Sequence, residues 1–529
     1  HRLSQGTRVT RRQGDTMNFK EYADKVRACW LGKNIGGTLG CPLEGRRDVF
    51  DLDFYVHDIR TGSLPNDDLD LQLVWLLAAE AHGQAVNSEI LSEFWLTYIP
   101  CDWSEYGAGK NNMRFGLIPP VTGSHKNPYR NSNGCFIRSE IWACLAPGNP
   151  QMAVKYAFED AITDHADEGV YGELFCAAMQ SAAFALPTNS ACTGDDIMTL
   201  IRTGLAFIPE DCRTAQCVRL AIDYYQSGRT WQEARKAILK LAPSTFGLRY
   251  VYDNELPDKR PEPDIPMGET GYDAPSNIGI VAIGLLWGEG DFTRSLCTAA
   301  NCGEDTDCTA GTIGALLGII CGCDGIEKKW TDPIGDTIKT ATLDLTKGGI
   351  PGTVTDLTQR VTRLMPTFMH AYIRFDDDGV LCIDPPCIPV EQLTRVKCGL
   401  FEYADMRQQL TTSPLTIRRS NALFDVGVSF TDIGIRAGEP KNLTVSFSNH
   451  LFSQQWAKLT WHLPEGWTVT GGTESYVCVD QYTGKTCLAE QSFEIRTDVL
   501  NRQRYDLVLE IASQGRPSRL FIPLVFMQE

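Results

Sequence analysis

No uninterrupted apolar run in this chain approaches bilayer-spanning length; the nearest, Thr309–Cys321, is too short, which argues against a membrane-spanning helix. Basic residues are in deficit, and the net charge is -17. Nucleic-acid partners call for a basic patch, so this balance argues against them. Residues 1–16 carry four Arg and no apolar h-region, so the sequence as it stands does not open on a signal peptide. Met17 precedes a helical pattern and suggests the native start, with residues 1–16 a tail or a cloning remnant. No His lies near a Cys pair, so spacing supports no zinc site. There is no internal repeat.

The composition that is present belongs to a globular protein of more than one domain. The chain has 529 residues, 43% hydrophobic and 22% charged. Its 19 cysteines are odd in number, and Cys29, Cys144, Cys176, Cys297 and Cys321 sit inside apolar helical patterns. That usage suits buried, reduced thiols and a cytoplasmic protein. Cys478 and Cys487 flank a Gln-Tyr-Thr-Gly turn and are spaced to pair across a hairpin. A secreted or periplasmic setting therefore stays open, should a leader have been removed. Nothing in the sequence bears on oligomeric state.

From Phe19 to about Tyr372 the texture is helical, with apolar positions three and four apart over 150–187, 213–241 and 276–320. Residues 100–133 and 253–275, rich in Gly, Asn, Pro and acids, read as long substrate-facing loops. Trp103, Tyr106 and Tyr129 lie in or beside the first and read as loop packing rather than as an aromatic platform. Asp376–Gly379 is a turn. From Pro414 short alternating strands take over: Leu443–Phe447, Ala457–His462, Phe493–Ile495, Tyr505–Ile511 and Leu520–Phe526. The expected organisation is an all-α orthogonal helical bundle over 17–375, a connector over 376–412 and a β-sandwich over 413–529.

Two acidic clusters stand at predicted helix starts about 240 residues apart. The first is Asn66-Asp67-Asp68-Leu69-Asp70. The second is Asp305-Thr306-Asp307 within Asn301–Cys308. A helix N-terminus favours carboxylates, and for one cluster that explanation suffices. Two clusters with no Lys or Arg beside them call for a cation, and oxygen donors select a hard one: magnesium, manganese or calcium.

The second cluster, followed by Ala310–Gly318, resembles the Gly-Gly-Asp-Thr-Asp-Thr signature of the ADP-ribosylglycohydrolase family and the Ala/Gly-rich helix after it. Four other segments match in the family's order. Gly36, Gly40 and Glu44 fall in register with its Gly-Asp-Ala-x-Gly-x-x-x-Glu opening. Asn66-Asp67-Asp68 resembles its Thr-Asp-Asp-Thr. Asn133-Gly134 with Ile137-Arg138 resembles its Asn-Gly-x-x-Met-Arg, and Asp164-His165 its Thr-His segment. The resemblance covers roughly residues 17–370 and implies the helical fold. It also implies a metal-dependent hydrolase of an N- or O-glycosidic bond to a ribofuranose, with a small-molecule or ADP-ribosylated substrate. Its metal centre would be one or two Mg2+, with Mn2+ an alternative, on Asn66, Asp67, Asp68, Asp305, Asp307 and position 308. Glu44 and Asp305 would be catalytic, Glu44 as general base toward water. Asn133, Gly134 and His165 would contact substrate, and Arg138 would pair with a buried carboxylate.

The departures from the pattern matter. Asn66 and Cys308 each replace a family Thr, Glu304 replaces a Gly, and Gly37 replaces an Asp. A thiol is a poor magnesium ligand and shifts preference toward manganese. Glu304 or Asp70 could replace it as a donor, leaving Cys308 in the apolar core. Leu463–Val469 resembles a short motif of sandwich modules appended to bacterial glycosidases. Two further readings stand beside the first. One is hydrolysis of another furanoside or nucleoside-like molecule. The other is a non-catalytic relative, since the family fold has been reused as an eye-lens crystallin.

Overall fold

The computed structural model describes residues 16–188, 192–244, 271–386, 388–397, 403–411, 415–449, 451, 453–480 and 488–529. The chain divides into two compact units, one of residues 1–111 and 126–394, the other of 112–125 and 395–529.

The first unit is helical. Its long opening helix, Phe19–Gly40, starts at Asn18, whose side chain accepts a hydrogen bond from the Glu21 amide. This helix lies against the helix Thr306–Cys321, and small residues set the separation. A Cβ added at Gly36 would sit 2.2 Å from the Ala310 carbonyl oxygen, and one at Gly40 would sit 2.3 Å from the Asp307 amide nitrogen. Gly32 and Gly314 meet in the same way. The Thr306 hydroxyl donates to the Gly40 carbonyl (2.7 Å) and ties the two helix ends together. The glycines in register with the family's opening motif are thus a packing device. They bring the start of the second acidic helix against the end of the first helix of the unit.

The helices Pro150–Ala161, Glu168–Ala183, Arg213–Gln226, Trp231–Leu241, Ala274–Gly288 and Phe292–Asn301 occupy the stretches whose periodicity predicted them. Among the described residues no helix is long and apolar enough to cross a membrane. Part of the segment read as a connector returns to the start of the chain. Leu381–Ile383 pairs antiparallel with both Met17–Asn18 and Ile373–Phe375.

The second unit is built on two five-stranded sheets. One runs Glu474–Val479, Gln455–His462, Arg504–Ser513, Arg519–Gln528, Gly434–Ile435. The other runs Thr468–Val469, Leu488–Arg496, Lys441–Asn449, Phe424–Phe430, Leu415–Ser420. Alternation along the strands places Val428, Val445, Leu459, Leu509, Ile522 and Phe526 in one apolar core. All five strands expected from the sequence are found, each longer than read.

The segment 100–133 differs from expectation. Ser104–Arg114 is a helix, not an open loop. Leu117 and Val121 join the core of the second unit. Two glycines and few apolar residues hide this helix from periodicity, because its buried face mixes glycines and Lys110 with Tyr106 and Met113 and makes no continuous apolar stripe. A Cβ at Gly109 would meet the Asp164 Cβ at 2.8 Å. Of the other expected loop, residues 253–270 lie outside the described residues, as do residues 1–15 and Cys487. The described cysteines are free thiols.

Candidate metal centre

The helices Asp67–His82 and Thr306–Cys321 both begin at one place, and that place gathers the two acidic clusters. Asn66 caps the first helix: its side-chain oxygen accepts from the Asp68 amide at 2.8 Å. Its amide group donates to Asp307 Oδ2 at 3.3 Å. Two departures from the family pattern meet here, since a Cβ at Gly37 would lie 2.4 Å from that same amide nitrogen. The missing side chain at 37 makes the room that Asn66 fills.

Two sets of potential donors result, each with its ligand atoms within 4.8 Å of one another: Glu44, Asp305 and Asp307, and Asp68, Asp307 and Cys308. Asp307 belongs to both. Asp305 stands at the cap position of its helix but makes no capping bond. Its Oδ2 accepts from Asn133 Nδ2 (2.8 Å). Asp305 Oδ1, Asp307 Oδ1 and Asn133 Oδ1 are buried without a hydrogen-bond partner. Buried oxygens of this kind are costly unless something satisfies them. Burial, followed by Glu44 and Asp305, pushes the Asp307 carboxyl well above the usual range. Burial pushes Asp68 up to about 8. Crowding by surrounding protein, then Asp305 and Asp67, does the same to Glu44, although its side chain is open to solvent. A hard divalent cation fits this set of converging, unsatisfied oxygens.

Other residues are placed differently from expectation. Asp70 is one turn away and is occupied: its Oδ2 accepts from the amides of Ala341 and Thr342, both at 2.7 Å, and from the Thr342 hydroxyl at 3.0 Å. Glu304 is held by Arg47 through two bonds of 2.5 and 2.8 Å and accepts from the Gly271 amide. Neither replaces Cys308 as a donor. Nor does Cys308 point into apolar packing, because its thiol donates to Asp68 Oδ1 at 3.3 Å.

His165 and Gly134 do not face open space. The His165 Nε2 lies 2.7 Å from the Ser132 hydroxyl and its Nδ1 2.9 Å from Asp164, with the ring fully buried. The Gly134 amide points at Ser132 Oγ, and a Cβ at 134 would fall 2.2 Å from Glu105 Oε1. These residues brace the loop that carries Asn133 and, through it, Asp305. Arg138 makes the expected buried pairs, to Asp160 (2.7 Å) and Asp164 (2.6 Å).

Three contributors escaped the sequence reading. Tyr106 is buried and donates to Asp67 Oδ2 at 2.7 Å. Tyr272 donates to Glu44 Oε1 at 3.1 Å. Lys33 reaches in from the opening helix, with its Nζ 3.6 Å from Asp68 Oδ2 and 3.2 Å from Glu140 Oε1. The clusters lack a neighbouring cation in sequence but not in space. Only the register of Lys33, one turn before Gly37, could have pointed to it.

A solved ADP-ribosylglycohydrolase-related protein complex is 17% identical and aligns over 66% of this chain and 100% of its own, with a TM-score of 0.42. A FixG-related protein from Vibrio parahaemolyticus is 13% identical, aligning over 20% of this chain and 96% of its own, with a TM-score of 0.16. No curated protein matches the chain. The ADP-ribosylglycohydrolase family model matches residues 19–365, more than half of the sequence and the part that holds every acidic residue of the centre. The chain belongs to the ADP-ribosylglycohydrolase family.

Proposed function

We propose that this protein is a metal-dependent hydrolase that cleaves an N- or O-glycosidic bond to a ribofuranose, with an ADP-ribosyl group as the default substrate. The observation that carries this reading is the convergence of Glu44, just past the end of one helix, with Asp305 and Asp307 at the start of another, with buried carboxylate oxygens left unsatisfied. A non-catalytic relative would have no reason to keep so costly an arrangement.

Asp305 and Asp307 would hold a divalent cation, which would supply Lewis-acid stabilisation of negative charge developing on oxygen. The residues of the chain do the rest. Glu44, at the solvent-open side of the group, takes the proton from an attacking water. The Tyr272 hydroxyl fixes one of its oxygens and leaves the other to work. Burial, Asp305 and Asp67 hold its carboxyl up at about 8, where it can take up a proton near neutral pH. Asn133 holds Asp305 in one rotamer through its amide. Tyr106 does the same for Asp67.

The test is a substrate panel: ADP-ribosylated protein, O-linked ADP-ribose, a simple ribofuranoside and a nucleoside, each with magnesium, manganese or chelator. Release of ADP-ribose that requires the ion and is lost in Asp305→Asn supports the reading. Turnover of the simple furanoside or nucleoside alone would move the substrate to that class. No hydrolysis of any member with either ion would overturn it.

A further inference from the structure

The two donor sets share Asp307 but differ in what else surrounds them. In the first, Asp305 Oδ1 and Asp307 Oδ1 are buried and unpartnered, and Glu44 completes an all-oxygen group. In the second, Cys308 donates to Asp68 Oδ1, and Asp68 Oδ2, buried without a hydrogen-bond partner, has its charge met by the Lys33 ammonium 3.6 Å away. We propose that the Lys33 ammonium takes the place of a second cation, so that this chain holds one divalent ion, at Asp305 and Asp307 beneath Glu44, of the one or two that the family resemblance allows. The inference rests on the metal-dependent reading above.

The lysine is built in rather than incidental. Its side chain is 1% exposed. Its Nζ also lies 3.2 Å from Glu140, which is fully buried and accepts from Gln72 (2.8 Å) and Gln180 (3.1 Å). The stem runs past Gly311, where an added Cβ would touch both Lys33 Cδ and Asp68 Oδ2 at 3.4 Å. A fixed ammonium beside Asp68 repels a divalent ion from the same carboxylate. The third donor of that set is a thiol, which hard cations bind poorly. Charge and donor softness both disfavour the second position, whereas the first has neither an ammonium nor a thiol in its donor set.

Manganese titration of the full chain by calorimetry, with electron paramagnetic resonance of the loaded protein, tests this without reference to activity. One Mn2+ per chain with an uncoupled six-line spectrum is expected. Lys33→Met should admit a second ion and give the spectrum of an exchange-coupled pair. Lys33→Gln, which keeps a donor toward Glu140, serves if the methionine variant fails to fold. Two coupled ions in the unaltered chain would overturn the inference and leave the hydrolase reading standing. A folded Lys33 variant that still binds one ion would overturn the role of the lysine. No ion bound to the unaltered chain would overturn both readings.

Discussion

The two acidic helix starts look alike in sequence and behave differently in space. At the first, each polar side chain has a local partner, although Asp68 Oδ2 and Asp70 Oδ1 accept no hydrogen bond. Asn66 caps its helix, Asp70 holds the backbone at Ala341 and Thr342, Asp67 receives Tyr106, and Asp68 receives Cys308 and pairs with Lys33. At the second, Asp305 makes no capping bond, and both Asp305 and Asp307 keep a buried oxygen without a partner. Local partners, an ammonium among them, account for more of the first cluster than of the second, whose two acids make no ion pair among the described residues. The demand for a cation is concentrated in the second. The lesson is that carboxylates should be sorted by what already satisfies them before they are counted as ligands.

Substituting one acid from each cluster breaks this comparison most directly. Asp307→Asn removes the residue common to both donor sets and should weaken divalent-ion binding by more than about 100-fold, since even outer-layer partners of a metal cost about 10–100-fold. The metal-free chain should gain stability, because a crowded, buried negative charge is lost. Asp70→Asn should do the opposite. Ion affinity stays put, and the fold loses about 1–3 kcal/mol as the Ala341 and Thr342 amides lose their charged acceptor. Calorimetric titration beside denaturant unfolding separates the two. Equal effects of both variants on ion binding would dissolve the distinction.

The close approach of the helices Phe19–Gly40 and Thr306–Cys321 is the next point of attack. Gly36→Ala places a methyl group 2.2 Å from the Ala310 carbonyl oxygen, and backbone on both sides prevents easy relief. A loss of about 1–3 kcal/mol is expected from overpacking. Ion affinity should fall with it, because the two helix starts are forced apart. An unfolding curve superimposable on that of the unaltered chain would show that the helices do not need the glycine.

Much of this was legible beforehand, and the parts that were not share a cause. Periodicity found the long helices and the alternating strands, because one-sided burial writes itself into the sequence. The two acidic clusters were legible as helix starts for the same reason. Lys33 was not, because its partners Asp68 and Glu140 are remote in sequence and only the packing of three elements joins them. The helix Ser104–Arg114 was missed because glycine-mediated packing leaves no apolar stripe, and Tyr106 was misjudged with it. His165 was expected to face substrate from its place in a motif. A motif records that a residue is needed but not whether it touches the ligand or holds the loop that does.

The support of Asp305 is the subject of a finer test. Burial alone would raise the Asp164 carboxyl, but Arg138 and His165 outweigh it and hold the group down at about 2. A carboxyl depressed from 3.8 contributes stability that is fully present above about pH 4 and is lost as pH falls through 2. The contribution is about 2 kcal/mol. Acid unfolding of the unaltered chain should therefore steepen between pH 4 and 2. In Asp164→Asn that part of the limb should flatten, with lower stability at neutral pH. An unchanged pH profile would remove Asp164 from the brace behind Asn133.

The smallest effect is expected at Cys308, and it bears most closely on the inequality of the two donor sets. The thiol lies beside Asp68, so replacing it with the family's Thr restores a hard oxygen at the second position only. With Lys33 in place that position remains disfavoured by charge. Cys308→Thr alone should therefore change magnesium affinity by less than about 3-fold and leave the number of bound ions at one, a difference below ~1 kcal/mol. In a Lys33→Met background the same substitution should strengthen binding of the second ion and narrow the gap between manganese and magnesium. The two residues would then show coupling that neither shows alone, as expected of neighbours acting on one carboxylate. Additive effects of the two substitutions, read from the same titrations, would mean that thiol and ammonium do not act on a common position.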